Sequence, residues 1–220
     1  MPETLDLSTT ISVAELPAEA VHTSGRLLSR AFAADPILTH FLSGPLRRQI
    51  AYPAFFRELI LEHLESRHVY GAWDGDRLVG VVVWAPPHGA PPSFAMRLRA
   101  RLDHLVVRLL FPRRASKLYR GFAATASFHP HEPHWYLFFV GVDPSYQGRG
   151  VGKQLLAPVL QTADRDRALC YLETPFPATH EFYRRLGFEL RPATHPFEGA
   201  PPLWSMIRRP ETGGYDKRGS

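Results

Sequence analysis

The stretch from Trp135 to Lys153 (Trp-Tyr-Leu-Phe-Phe-Val-Gly-Val-Asp-Pro-Ser-Tyr-Gln-Gly-Arg-Gly-Val-Gly-Lys) constrains this chain more than any other. Its apolar first part, Trp135 to Val140, predicts a buried strand. Asp143-Pro144 ends that strand, and Gly148, Gly150 and Gly152 then lead directly into a helical pattern. At such a junction several backbone N–H groups point outward at a helix N-terminus, where the macrodipole adds to their pull on an anion. The alternating glycines remove the Cβ atoms that would hold a phosphate away. Two common phosphate loops are excluded by spacing. A P-loop needs glycine at position 147 and a hydroxyl residue after the lysine, where this chain has Gln147 and Gln154. A dinucleotide fingerprint needs glycine where Lys153 stands.

The flanking sequence extends the pattern. Leu155, Leu156, Val159, Leu160 and Ala163 follow helical spacing, so the helix is expected to reach Asp164–Arg167, with Pro158 removing one intrahelical bond and bending it. Leu169 to Thr174 then reads as a buried strand carrying one acidic residue, Glu173, near its end. A short helix is expected from about Ala178 to Leu186, stopped by a left-handed Gly187, with Phe188 opening the next strand.

Strand, glycine turn, helix, strand, helix, strand is the order of the GNAT acetyltransferase superfamily. Gln147-x-x-Gly150-x-Gly152 resembles its coenzyme A signature. Within that superfamily the chain is most similar to the puromycin N-acetyltransferase-like members. The similar segments are His134 to Leu137, Val140 to Pro144, Gln147 to Gly152, Pro158, Leu172-Glu173-Thr174, Phe182 to Phe188 and Trp204-Ser205-Met206, with Ala31 to Pro36 near the start. The resemblance implies a mixed α/β fold of the α+β type, a central splayed sheet flanked by helices. It implies acetyl-CoA as co-substrate and a primary amine of a small molecule as acceptor, joined by direct attack in a ternary complex. Carried over by position, it implies Glu173 as general base and Tyr183 as the acid that protonates the departing thiolate. The pantetheine arm would lie along Val140, Gly141 and Val142, and the pyrophosphate on Gln147, Gly148, Arg149, Gly150, Val151, Gly152 and Lys153.

The chain departs from the family where the acceptor would sit. Thr179 stands where an asparagine commonly contacts the coenzyme, and hydroxyl reach is shorter. Asp35 replaces a tyrosine, and 86–133 is an unrelated insertion. Phe32, Asp35, Trp84 and Tyr136 are the acceptor-side candidates.

In the amino-terminal half, Thr10 to Ala14 suits a first strand and Val21 to Phe32 a helix stopping near Asp35-Pro36. Ile50 to Glu65 suits a second helix, and Val69–Trp73 with Leu78–Trp84 a hairpin around Asp74-Gly75-Asp76-Arg77. Prolines at 86, 87, 91 and 92 stiffen the following loop. From Phe94 to Phe111, leucines alternate with Arg97, Arg99, Arg101 and Arg108. A basic amphipathic helix of this kind can lie on a membrane or bind RNA. The expectation is an arm packing its apolar face on the body.

Residues 1–209 are expected to form one domain and 210–220 a flexible tail. The net charge of +5 suits a ligand as anionic as coenzyme A. One cysteine, Cys170, excludes an internal disulfide. The polar start resembles no signal peptide and no apolar run approaches the ~20 residues of a membrane span, so the expected place is the cytoplasm, with neither membrane nor nucleic acid as partner. His129, His131 and His134 lack a second ligand cluster and acyl transfer to an amine needs no metal, so none is expected. A monomer or homodimer is expected. The alternatives are a silent acyl-CoA-binding sensor, which would lose the acid or base, and a nucleic-acid binder using the arginine-rich helix.

Overall fold

Alternation and turn chemistry set the first strands. The computed structural model describes residues 10–42, 44–89, 92–195 and 199–210. In it β1 (Ser12–Glu15) pairs antiparallel with β2 (Val69–Asp74), and β2 with β3 (Arg77–Ala85) across the expected turn, where Gly75 has φ 56°. β3 pairs antiparallel with β4 (His134–Val142), β4 parallel with β5 (Leu169–Thr174), and β5 antiparallel with β7 (Leu203–Arg208), which also holds β6 (Glu189–Thr194). The result is a mixed seven-stranded sheet of order β1-β2-β3-β4-β5-β7-β6. A parallel pair needs a crossover, and the helix Val151–Arg165 supplies it between β4 and β5.

Helices cover both faces. On one, α1 (Val21–Ala31), α2 (Pro36–Phe41) and α3 (Pro45–His63) build a core that includes Leu27, Leu28, Phe55, Phe56, Ile60, Val81, Val83 and Phe139. The other core holds Val79, Val82, Leu172 and Met206 beneath the crossover helix, which brings Leu155, Leu156 and Val159 to it. Between β3 and β4 the insertion forms α4 (Phe94–Leu110) and α5 (Pro112–Thr125). The crossover helix is therefore α6, and α7 (His180–Arg184) follows β5.

Several elements differ from their sequence expectation, each for a local reason. Asp35-Pro36 starts a helix instead of ending one: α1 stops at Ala31, the Asp35 carboxylate accepts from Leu38 N–H at 2.8 Å, and Pro36 takes the first turn, where it lacks only an orphan donor. α3 begins at Pro45, before Ile50, with Gly44 (φ 108°) as N-cap and proline again in the first turn, here without a side-chain cap. α7 is shorter than expected, a 3-10 turn over Pro177–Thr179 taking its first residues. α5 carries no sequence expectation of its own; the face it buries includes Ala115, Leu118, Gly121 and Thr125. α4 overturns the expectation set for it. It buries Ala100 and Val107, and turns Leu98, Leu102, Leu105 and Leu109 to solvent. The expected tail at 211–220 lies outside the described residues.

Candidate functional site

The site begins where the sheet splits. β4 and β5 pair only from His134↔Leu169 to Leu137↔Leu172. Beyond that, β4 stays with β3 as far as Val142 and β5 stays with β7, Thr174 opposite Trp204, so the two strands part. Backbone parity says what faces the gap. Asp143 N–H donates to Val79 O at 2.9 Å, and in an antiparallel ladder alternate residues address the same neighbour. Gly141 therefore faces β3, while the N–H and C=O groups of Val140 and Val142 turn into the gap. The Gln147 amide donates to Val142 O at 3.1 Å from that open side.

Gly141 earns its place by packing. A Cβ there would lie 2.5 Å from Leu28 Cδ2 and 3.0 Å from Phe32, so its absence lets α1 lie against β4. The end of β4 is tied down by Asp143, which accepts from Arg30 at 2.7 Å and from Ser145; the Arg30 bond foremost holds its carboxyl at about 2.

The turn then adopts the conformation that glycine permits. Gly148 and Gly150 have φ 75° and 79°, the second as N-cap of α6. Gln154 N–H is the first to reach back, to Gly150 O at 3.2 Å, so the N–H groups of Val151, Gly152 and Lys153 are first-turn donors without an intrahelical acceptor. Arg149 lies over the Tyr146 ring at 5.0 Å, and Tyr146 is itself anchored by donating to Asp74 at 2.6 Å. An open trough runs from these residues past Thr179, Phe182, Tyr183 and Arg185 to Val140 and Val142.

Glu173 sits in the throat of the gap, held by two phenols. It accepts from Tyr136 at 3.0 Å and from Tyr171 at 2.9 Å. Burial raises its pKa to about 7, against the lowering pull of both bonds. His129 Nε2 lies 3.9 Å away, and burial, with His134 beside it, lowers His129 to about 4, so this neighbour is a neutral imidazole. Tyr183 is also buried, its ring against Phe182 and Phe188, and burial raises its pKa so that the phenol keeps its proton. Among the described residues its hydroxyl has no hydrogen-bond partner.

Three adjoining pockets connect through these two residues. The trough and the throat share Val140, Val142, Gln147, Thr179 and Tyr183. The throat and a third, largely apolar pocket share Phe32, Phe138, Phe139, Glu173 and Pro175. The apolar pocket lies under α2, α3 and α5, with Phe41, Phe55, Leu118 and Thr125 in its wall.

The other sequence candidates divide. Phe32, Asp35 and Tyr136 line the apolar pocket. The Asp35 carboxylate is already the cap of α2, and burial raises it to about 6; the Tyr136 hydroxyl is committed to Glu173. Thr179 lines the throat, but its hydroxyl bonds Phe176 O at 2.8 Å and Thr174 at 2.9 Å, holding the turn. Trp84 is not at the site. Strand alternation puts it fully buried in the α6-side core, against Trp135 and Leu137. Sequence reading missed Tyr171 and His129. Tyr171 was detectable, because two residues before Glu173 on one strand means the same face. His129 follows the 3-10 turn Ala126–Phe128, and the sequence offered it only as one of three histidines weighed for a metal, with no sign that it would meet Glu173.

The acetyltransferase (GNAT) family model matches residues 38–188, and the chain belongs to this family. A crystal structure of histone acetyltransferase HPA2 and related acetyltransferase from Corynebacterium glutamicum superposes with a TM-score of 0.67 at 25% identity, over 91% of this chain and 97% of that one. A polyamine N acetyltransferase of Drosophila melanogaster, which forms N acetylagmatine, shares the fold with a TM-score of 0.54 at 18% identity, over 91% of this chain and 100% of that one. An uncharacterized N-acetyltransferase of Schizosaccharomyces pombe is 32% identical over 80 residues, 36% of this chain. The match spans only about a third, 32%, of that curated relative's length.

Proposed function

We propose that this protein transfers an acetyl group from acetyl-CoA to a small-molecule amine with an apolar body, by direct attack within a ternary complex. The observation that carries the reading is the continuous path of three pockets, with Tyr183 where trough meets throat and Glu173 where throat meets apolar pocket. The pyrophosphate of the co-substrate occupies the first-turn N–H groups of α6 with Arg149 and Lys153 beside it, and the pantetheine amides pair with Val140 and Val142. Pairing at Val142 O displaces the Gln147 amide that now holds it. The amine enters through the apolar pocket, whose phenylalanines suit an aryl or alkyl body.

Only a free amine attacks a thioester, and Glu173, poised near pH 7, accepts the ammonium proton. Its two tyrosine donors keep the carboxylate oriented. As nitrogen bonds to the carbonyl carbon, charge develops on the oxygen, and the Val140 N–H donates to it; one such donor is typically worth about 3–4 kcal/mol. The C–S bond then breaks, Tyr183 passes its proton to the sulfur, and the second proton that the nitrogen sheds in becoming an amide restores the phenol. Thiol release from acetyl-CoA across a panel of aryl- and alkylamines tests the reading. We expect amine-dependent release, a drop in kcat of roughly 10²–10⁴-fold in Tyr183→Phe, and an almost unchanged Kd for acetyl-CoA. Equal turnover in the variant removes Tyr183 from the chemistry.

A further inference from the structure

At 3.6 residues per turn, Phe94, Leu98, Leu102, Leu105 and Leu109 of α4 fall within an arc of about 80°. All five are exposed, by 50% to 72%. The residues α4 buries, Ala100 and Val107, lie on the opposite side of the helix, where Arg57 from α3 pairs with Asp103 and Glu58 with His104. Arg97, Arg101 and Arg108 run along one edge of the leucine stripe and Arg99 along the other. Leu46 and Ile50, exposed by 78% and 58%, lie at the end of α3 that meets the close of α4, where Arg47 donates to Leu110 O at 3.2 Å.

Charge follows the same geography. Phe94 to Arg120 contains eight basic residues and one acidic one, so this segment carries +7, more than the +5 of the whole chain. The one acid, Asp103, faces inward. None of the outward residues of α4 lines the pockets of the candidate site.

We infer that the outward face of α4 is a peripheral membrane-binding surface, in which the helix lies in the interface of an anionic bilayer. Its leucines and Phe94 enter the acyl boundary and its arginines meet the lipid headgroups. Physical chemistry selects this partner. Nucleic acid takes the arginines but leaves five large apolar side chains in water. A second copy covers the leucines but sets the same arginines against each other across a twofold axis, where α4 itself offers no outward acid and Glu65, at its start, already faces Arg97. A bilayer accepts a protruding helix without any groove, and complements both the stripe and its cationic edges.

Co-sedimentation of the full chain with phosphatidylcholine–phosphatidylserine vesicles, against phosphatidylcholine alone, tests the surface. We expect partitioning about tenfold or more stronger to the anionic vesicles, weakened by salt, and lost in a Leu102→Glu, Leu105→Glu double variant that keeps its circular dichroism spectrum. A second readout places a fluorophore. Cys170 is fully buried, so Leu105→Cys introduces an accessible thiol for a polarity-sensitive dye, whose emission should shift to the blue on vesicle addition. No binding by the unmodified chain overturns the inference and leaves the stripe to a protein partner. Binding retained in the double variant overturns it too. So does sedimentation velocity without lipid that shows a dimer which the double variant converts to monomer.

Discussion

Two amphipathic helices in this chain share a periodicity and meet opposite environments. α6 carries Leu155, Leu156, Val159, Leu160 and Ala163, all buried against β2 to β5. α4 carries Leu98, Leu102, Leu105 and Leu109, all exposed, and docks instead through Ala100, Val107, Asp103 and His104. Period says that a helix has two faces; the neighbour decides which one it takes. α6 follows a strand directly and must cover a wide apolar sheet. α4 follows a proline-rich loop and rests on another helix, where small residues and ion pairs allow close approach. The same division runs through the site. On the proposed reading, its coenzyme side rests mainly on one stretch, Val140 to Lys153, with α7 beside it, and its acceptor side is assembled from α1, α2, α3, α5 and β4.

Experiments can widen or close this gap between the two regions. The largest expected effect is at Glu173. Its replacement by Gln should lower kcat by about 10²–10⁴-fold. Wild-type kcat/KM should rise with pH through about 7, as the carboxyl loses the proton that burial favours, and that inflection should vanish in the variant. A profile unchanged by the substitution would assign the base elsewhere.

Leu156→Ala should cost about 2–5 kcal/mol of unfolding free energy, measured by urea titration, because it opens a cavity under α6. On the roof, Glu58 is buried and accepts from both His104 and Tyr119, with burial raising its pKa. Glu58→Leu leaves those donors unpaired and should cost about 1–3 kcal/mol, with acetyl-CoA affinity unchanged by calorimetry. Leu102→Ala should change stability by less than about 0.5 kcal/mol. A Leu102→Ala cost as large as that of Leu156→Ala would erase the contrast.

Legibility in the sequence followed the range of the forces involved. β4, the glycine turn, α6, β5 and the Gly187 stop were all readable, because each rests on residues a few positions apart. The positions of Glu173 and Tyr183 were readable for the same reason. Trp84 was misread as an acceptor residue because an aromatic side chain carries no sign of which sheet face it will take. Asp35-Pro36 was misread because the same pair serves a helix end and a helix start; the short helix beyond it decided.

By itself, the sequence determined the strands around the glycine turn, the crossover helix that the turn opens, and the carboxylate and phenol beside it. Strand period, glycine conformation and helix-start donors are local properties, and they survive any arrangement of the rest. Only the tertiary structure decided that β4 and β5 part after Leu137 and Leu172, that Tyr136 and Tyr171 converge on Glu173, and that burial lifts its pKa to about 7. It also decided that α4 shows its leucines to solvent. Desolvation and packing depend on which distant segments meet, and no window of neighbouring residues contains that information.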